Sequence, residues 1–244
     1  KQKMYMLSGV LDITWKPMVN HGKVPDPRRV VVRDLSMLER SGSGGFGKVA
    51  QIDARDLKSP VLSLQPLIAY DLNRDGLSEV ILGGVNRVFW NKGKGQFKPE
   101  PFLRHWPGEI SESGLLADFT GDGFVDFLCI SARDRSPMLF PGDEQGRFNQ
   151  PGASIAPVSF QNPSVLTAGD IDGDGDLDCW LTQYKPPYLG GQMPTPYYDA
   201  NDGFPSYLLL NRGDGRFQEA TRERGLDARR NRRTYSSSFV DLDG

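Results

Sequence analysis

Short apolar runs alternate with acidic, glycine-containing segments along most of the chain. The runs at residues 80–82 (Val-Ile-Leu), 127–130 (Phe-Leu-Cys-Ile) and 179–181 (Cys-Trp-Leu) each follow directly on an acidic segment. Runs this short are more typical of buried strands than of amphipathic helices. The pattern therefore predicts an all-β chain in which strands and polar loops alternate.

The acidic segments at residues 71–79, 118–126 and 170–178 are copies of one nine-residue pattern, and a fourth copy begins at residue 241. Each complete copy has an oxygen-bearing side chain at positions one, three, five and nine, and a glycine at position six. Ca2+ takes six to eight oxygens, which a tight loop can supply from alternate residues. Glycine permits the sharp turn that this requires. The repeat therefore predicts three calcium sites and part of a fourth.

Position seven is expected to contribute its backbone carbonyl, because leucine and phenylalanine have no side-chain oxygen; the aspartate in the third copy then points outward or reaches the ion through water. The third copy has the most carboxylates and should bind most strongly, and the second, with a threonine, most weakly. The predicted ligands are Asp71, Asn73, Asp75, Leu77 and Glu79 in loop 1, Asp118, Thr120, Asp122, Phe124 and Asp126 in loop 2, Asp170, Asp172, Asp174, Asp176 and Asp178 in loop 3, and Asp241 and Asp243 in the incomplete copy.

These loops differ from EF-hands, which begin in a similar way. An EF-hand needs a bidentate glutamate at position twelve and flanking helices. Position twelve is Leu82, Cys129 and Leu181 in the three copies, and each lies in an apolar run. The sites are therefore predicted to join a loop to a strand.

A second landmark follows each loop, at residues 91–97, 141–148 and 211–217. Glycines flanked by polar residues, with apolar residues on both sides, indicate hairpin turns, and the phenylalanine that ends each landmark is expected to begin the returning strand. The first aspartates recur after about 47, 52 and 71 residues, a period typical of propeller blades. The longest interval includes a Pro-, Gly- and Tyr-rich insertion at residues 185–204, which is expected to project from one face of its blade.

The coupled loops and hairpins resemble FG-GAP repeats, also called VCBS repeats, the units of integrin α-chain propellers and of many secreted bacterial proteins. Residues 211–226 and 239–244 are similar to the subgroup that includes cartilage acidic protein and ASPIC/UnbV proteins. The resemblance covers roughly residues 65–244 and implies a β-propeller of four-stranded blades, commonly seven, with Ca2+ at the blade edge. Such a ring needs about 330 to 370 residues. We therefore expect a fragment of about four to five blades that ends within a repeat.

Residues 1–64 lack a clear acidic loop but contain strand-like runs at residues 3–15, 29–35 and 48–52. We predict that this segment forms degenerate N-terminal strands or a degenerate first blade, separate from the repeat blades of residues 65–244. No leader peptide or apolar membrane span is evident in the sequence.

Composition argues against nucleic acid as a partner. The chain has 29 basic and 31 acidic residues, so no basic surplus exists to neutralise phosphates. The arginine-rich stretch at residues 222–233 also contains acidic residues and lacks interleaved aromatics, which favours a solvated loop.

Other motifs have plainer explanations. A kinase-like glycine loop at residues 42–49 lies only about ten residues from a segment that imitates a catalytic loop, whereas phosphoryl transfer needs the two about a hundred residues apart. The Arg-Gly-Asp sequence at residues 212–214 falls in a predicted hairpin.

Cys129 and Cys179 occupy equivalent strands of neighbouring blades, too far apart for a disulfide, so two buried thiols are expected. Neither histidine belongs to a metal or nucleophile signature.

The sequence thus predicts a propeller in which calcium is structural and no residue is catalytic. Binding Ca2+ in the folded state alone stabilises that state where the ion is plentiful, which favours an extracellular or periplasmic setting. The predicted function is binding or adhesion to a protein or glycan, through loops such as residues 185–204. Two alternatives remain open: a polysaccharide lyase or hydrolase on the same scaffold, and a structural subunit of an extracellular assembly whose partner completes the propeller.

Overall fold

The structure is a computed structural model that describes residues 3–15, 27–41, 64–186 and 201–240. The chain divides into two compact units, residues 1–49 and 50–244. In the first unit, β1 (Lys3–Trp15) and β2 (Pro27–Ser41) form a two-stranded antiparallel hairpin. The kinase-like glycine loop and the predicted strand-like run at residues 48–52 lie outside the described residues. A degenerate first blade in residues 1–64 stays a prediction.

The described part of the second unit contains three four-stranded antiparallel sheets, and each follows the chain as a meander. Blade 1 contains β3 (Leu67–Tyr70), β4 (Glu79–Leu82), β5 (Arg87–Asn91) and β6 (Phe97–Pro101); blade 2 contains β7 (Ile110–Ala117), β8 (Asp126–Ser131), β9 (Pro137–Phe140) and β10 (Ala153–Ser154); blade 3 contains β11 (Pro163–Gly169), β12 (Asp178–Gln183), β13 (Tyr207–Asn211) and β14 (Phe217–Glu219). The prediction of an all-β fold built from four-stranded propeller blades is confirmed, and the total number of blades stays a prediction.

Each acidic loop joins the first and second strands of its blade in the same register. The residue just before the loop pairs across the sheet with the residue at position nine of the loop. These pairs are Tyr70 with Glu79, Ala117 with Asp126, and Gly169 with Asp178. The three loops are therefore closed at their base in the same way, and position nine is always the first residue of a strand.

Strand β8 is buried on both faces because blade 2 contacts a blade on each side. Phe127 and Cys129 pack in an apolar cluster with residues of blade 1, whereas Leu128 and Ile130 pack in a second cluster with residues of blade 3. All six residues of β8 are buried. A strand covered on both faces does not need alternating polar residues, which explains the unbroken apolar run in the sequence.

The prediction that Phe148 begins a returning strand is wrong. Phe97 and Phe217 do begin β6 and β14, but the last strand of blade 2 starts only after Phe148. Phe148 instead forms an isolated parallel bridge with Leu103, and its ring lies edge-on to Phe102 with centroids 4.9 Å apart. The Phe148 ring is thus buried between blades 1 and 2. It does not pair in a hairpin, contrary to what its position in the sequence had indicated.

Both cysteines are unbridged and buried, as predicted. Burial raises the pKa of the Cys129 and Cys179 thiols, because a thiolate would lose its hydration there. The two thiols therefore behave as small apolar groups in the packing.

The Arg-Gly-Asp sequence lies in a tight turn, where the Arg212 N–H donates to the Arg216 carbonyl at 2.9 Å. The arginine-rich stretch forms turns and a short 3-10 helix, Asp227–Arg229. Three of its arginines are ion-paired, namely Arg224 with Asp172, Arg230 with Asp227 and Arg233 with Asp202.

Within the described ranges, no helix is both long and apolar enough to cross a membrane.

Candidate metal centres

The three acidic loops share one backbone shape, which their own carboxylates hold. The carboxylate at position one accepts a hydrogen bond from the N–H of position six, at 2.9, 2.8 and 3.0 Å in loops 1 to 3. The carboxylate at position five accepts from the N–H of position seven, at 2.9, 2.8 and 3.0 Å. The glycine at position six has φ of 86°, 86° and 93°, a left-handed conformation that favours glycine. The predicted sharp turn is present in all three loops.

Loop 3 brings three carboxylates together. One oxygen each from Asp170, Asp172 and Asp174 lies within 4.8 Å of the other two, and all three residues are exposed. Like charges this close disfavour one another unless a cation neutralises them. The donor atoms are oxygens, which hard cations such as Ca2+ prefer. This triad could therefore hold a metal ion.

An arginine already contacts the loop 3 triad. The Arg224 Nη2 lies 2.9 Å from the Asp172 Oδ2. Arg224 belongs to the turn that follows β14, in which its own N–H donates to the Ala220 carbonyl at 2.9 Å. The guanidinium thus supplies one positive charge to a group of three negative charges.

Loop 2 contains a buried hydroxyl that lacks a regular partner. The Thr120 Oγ1 is buried and makes no hydrogen bond of ordinary geometry within the described ranges, although it lies near enough to Asp126 to help lower the pKa of that carboxyl. A buried hydroxyl without a partner has an unfavourable free energy. An oxygen left in this state, beside a carboxylate, fits the predicted role of Thr120 as a cation ligand.

Loop 1 is held by its own amide as well as by carboxylates. The Asn73 Nδ2 donates to the Asp75 Oδ2 at 3.0 Å, and the Asn73 Oδ1 accepts from the Asp75 N–H at 3.1 Å. Arg74 reaches out of the loop, donates to the Gly123 carbonyl of loop 2 and lies over the Phe124 ring at 5.9 Å. Loops 1 and 2 are therefore in direct contact.

Position nine has a structural role that the sequence pattern did not reveal. Its carboxylate is fully buried in each loop, at Glu79, Asp126 and Asp178. In loop 3, the Asp178 Oδ2 accepts from the Ile171 N–H at 2.9 Å, and the Oδ1 accepts from the Asn211 N–H at 2.8 Å. One carboxylate thus joins the start of the acidic loop to the hairpin at the same end of the blade.

The same bridge is present in the other two blades. Glu79 accepts from the N–H groups of Leu72 at 2.9 Å and Asn91 at 3.4 Å. Asp126 accepts from Phe119 and Thr120, both at 2.9 Å, and from Gly142 at 3.1 Å. The hairpin landmark begins with asparagine in blades 1 and 3 but with proline in blade 2, and proline has no N–H. The next residue, Gly142, supplies the donor instead.

A side chain could not take the place of Gly142. A Cβ atom at that position would lie 2.0 Å from the Val125 carbonyl oxygen. The glycine therefore allows the N–H to approach the buried carboxylate in spite of the proline before it.

Burial raises the pKa of the three carboxyl groups at position nine, and the backbone N–H donors counteract part of this effect. In blades 1 and 3 the neighbouring aspartates add a second, smaller increase, because negative charges nearby disfavour ionisation. A cation in the loop would favour the ionised form of the carboxylate and reduce the repulsion among its neighbours.

The structure thus places all fifteen predicted ligands of loops 1 to 3 on three loops of common shape. Asp176 faces the hairpin of its own blade, since its Oδ2 lies 2.8 Å from where a Cβ of Gly213 would be. Asp241 and Asp243 lie outside the described residues. The assignment of each residue as a ligand stays a prediction.

Replacing Asp178 tests the role of the buried carboxylate without any metal. In the presence of a chelator, Asp178→Ala should lower the free energy of unfolding by about 2 to 5 kcal/mol, because two buried N–H groups lose their acceptor. Asp178→Asn keeps one acceptor oxygen and should cost less. The measurement is urea unfolding followed by circular dichroism. Asp176→Ala serves as the control, and a loss for Asp178→Ala no larger than for this control would contradict the role.

The matches to a known family model begin at the first residues of loops 1 and 2. Residues 71–129 and 118–181 each match the family model of the FG-GAP-like repeat. A search of curated protein sequences finds no match. Among solved structures, the chain is similar to an Agrocybe aegerita lectin with specific recognition of non-reducing terminal N-acetylglucosamine, with 19% identity and a TM-score of 0.38 over 64% of this chain and 51% of the lectin chain. The chain thus matches about half of that lectin. Residues 71–181 are therefore similar to a run of two FG-GAP-like repeats.

Proposed function

We propose that this chain is part of a secreted, calcium-stabilised propeller that binds a protein or glycan partner. The observation that carries the proposal is the recurrence of one loop shape in three blades, each with oxygen donors gathered around a glycine turn. The subgroup that includes cartilage acidic protein and ASPIC/UnbV proteins remains the proposed affiliation within the repeat proteins.

Calcium has a structural role in this proposal. Asp170, Asp172 and Asp174 would hold the ion in loop 3, and the corresponding positions would hold it in loops 1 and 2. Bound calcium supplies positive charge and ties the loop to the beginning of the second strand. An ion that binds only the folded state stabilises it by an amount that grows with the logarithm of its concentration relative to the dissociation constant. This dependence favours an extracellular or periplasmic setting, where Ca2+ is abundant.

A binding role suits the described residues better than catalysis. Their fully buried carboxylates are those at position nine, and these are engaged by backbone N–H groups. Two cavities on the described part of the chain are each lined by one carboxylate, Glu100 in one and Glu112 in the other. Paired carboxylates of the kind used by glycosidases do not meet in either cavity. The thiols are buried and have raised pKa values.

Calcium should raise the melting temperature of the chain. We expect an increase of several degrees with Ca2+, a smaller one with Mg2+ because it demands stricter geometry, and about three ions per chain. Thermal unfolding with and without chelator, together with metal counting by mass spectrometry, provides the measurement. No change in melting temperature and no bound calcium would refute the calcium sites.

Arg224 is expected to weaken cation binding at loop 3. Its guanidinium already contacts Asp172, and its positive charge opposes the arrival of a second cation at the same carboxylates. The guanidinium and the cation would therefore compete for the triad.

Arg224→Gln should tighten calcium binding at loop 3 by about two- to fivefold, equivalent to up to about 1 kcal/mol, the range typical of exposed ion pairs. Isothermal titration with Ca2+ measures the change. Arg222→Gln removes the same charge from the same turn. The Arg222 side chain is exposed and makes no hydrogen bond or ion pair with loop 3 among the described residues, so this substitution should leave the affinity unchanged. Weaker binding by Arg224→Gln would show instead that the arginine orients Asp172 for the ion.

The binding function itself is tested on arrays. The labelled, calcium-loaded chain should bind a defined set of glycans or extracellular proteins, and the signal should fall when a chelator is added, because the blades that form the binding surface lose stability. Absence of binding on both glycan and protein arrays would refute the proposed function even if calcium raises the melting temperature.

A further inference from the structure

A cavity of about 260 Å3 lies where blade 1 meets the hairpin of blade 2. Its walls come from β5, from β6 with the segment that follows it, and from residues 146–149. The backbone joins the two sides, because the Arg104 N–H donates to the Phe148 carbonyl at 3.1 Å next to the parallel bridge between Leu103 and Phe148. The fold therefore holds the backbone on both sides of the cavity together.

The cavity offers hydrogen-bond donors that have no internal acceptor. The Arg104 side chain is exposed and has no partner among the described residues. The Trp90 indole lines the cavity, and its buried N–H also lacks an acceptor within the described ranges. Arg147 lies over the Trp90 ring at 4.9 Å and is held there by an ion pair with Glu100 at 2.8 Å. A ligand rich in acceptor oxygens would satisfy the accessible guanidinium of Arg104.

The local charge is positive in a chain whose net charge is −2. Arg104 and Arg147 line the cavity, and Lys98 lies 2.7 Å from the single acidic side chain in the wall, Glu100. Hydrogen bonds from Lys98 and Arg147 lower the pKa of Glu100 to about 2. At neutral pH its charge is thus already matched by these two neighbours, and Arg104 remains available for an anion.

We propose that this cavity binds the carboxylate of an acidic sugar residue, with Arg104 as its main anion-binding group. The proposal rests on the proposed binding function and names the partner class as a glycan that contains uronic acid. Arginine pairs with a carboxylate through two parallel N–H donors, which gives both strength and orientation.

A single sugar ring fits the cavity better than an extended peptide does. The volume lies just below the range of drug-sized ligand pockets, about 300 to 1,000 Å3, and matches a ligand of one ring. Val88, Pro101 and Phe102 provide apolar walls, whereas Asn149 and the arginines provide a polar rim. A pyranose has both apolar C–H faces and hydroxyl oxygens, so it complements both kinds of surface.

Isothermal titration of the calcium-loaded chain tests the proposal. Glucuronate is the probe, glucose is the neutral sugar of the same ring size, and an aspartate dipeptide is the acidic ligand without a sugar. We expect glucuronate to bind at least about tenfold more tightly than glucose, since charge-assisted hydrogen bonds are roughly twice as strong as neutral ones. It should also bind more tightly than the dipeptide, which has a carboxylate but no sugar ring to contact the apolar walls. Equal affinity for glucose would overturn the anion site, and equal or tighter binding of the dipeptide would overturn the choice of a sugar.

Two substitutions locate the site. Arg104→Gln should weaken glucuronate binding about tenfold or more while glucose binding and the melting temperature stay the same, because the side chain is exposed and makes no contact that supports the fold. Arg133→Gln removes another exposed arginine, one that does not line the cavity, and should change nothing. Unchanged affinity in Arg104→Gln, or no measurable binding of glucuronate by the unaltered chain, would overturn the proposal.

The proposed acidic-sugar site and the proposed binding function can fail separately. If the arrays give calcium-dependent binding but Arg104→Gln retains it, the chain is a binding module whose site lies elsewhere. If the arrays give no binding, the proposed function fails as well, whether or not calcium alters stability.

Discussion

A buried carboxylate at the first residue of the second strand is the group on which each blade depends. It accepts N–H donors from the start of the acidic loop and from the hairpin landmark, so two segments that are distant in sequence share one acceptor. Burying a charge is unfavourable unless hydrogen bonds and opposite charges compensate for it. The N–H groups provide part of the compensation in every blade, and the oxygen-rich loop beside the carboxylate offers a place for a cation to provide the rest.

The loops also help to join neighbouring blades. The Asn211 side chain of blade 3 donates to the Phe119 carbonyl of loop 2 at 2.8 Å. At the other seam, a Cβ on Gly146 of blade 2 would lie 2.4 Å from the Leu72 carbonyl of loop 1, so only glycine allows this approach. Loops 1 and 2 are thus each contacted by the hairpin of the next blade. Tightening a loop therefore supports the contact between blades as well as the blade that contains it.

The sequence predicted the features that depend on local spacing and missed those that depend on tertiary contacts. A glycine at position six with an aspartate at position one sufficed to predict the loop shape, and the apolar runs located the strands. The role of position nine was not predictable, because its hairpin donor lies 12, 16 and 33 residues away in the three blades. Phe148 does not begin a strand because its ring packs against Phe102 of the neighbouring blade. In blade 2 the hairpin N–H donor is Gly142, one residue later than in the other blades, because the proline before it has no N–H.

The two cysteine thiols lie in different contacts between neighbouring blades. Cys129 packs where blade 1 meets blade 2, and Cys179 packs where blade 2 meets blade 3. A reagent in solution cannot reach either sulfur while the blades are closed, and the raised pKa of each keeps it in the unreactive thiol form. The rate at which each thiol is alkylated therefore measures how often the two blades around it separate transiently. Cys129 reports on blades 1 and 2, and Cys179 reports on blades 2 and 3, without any added label.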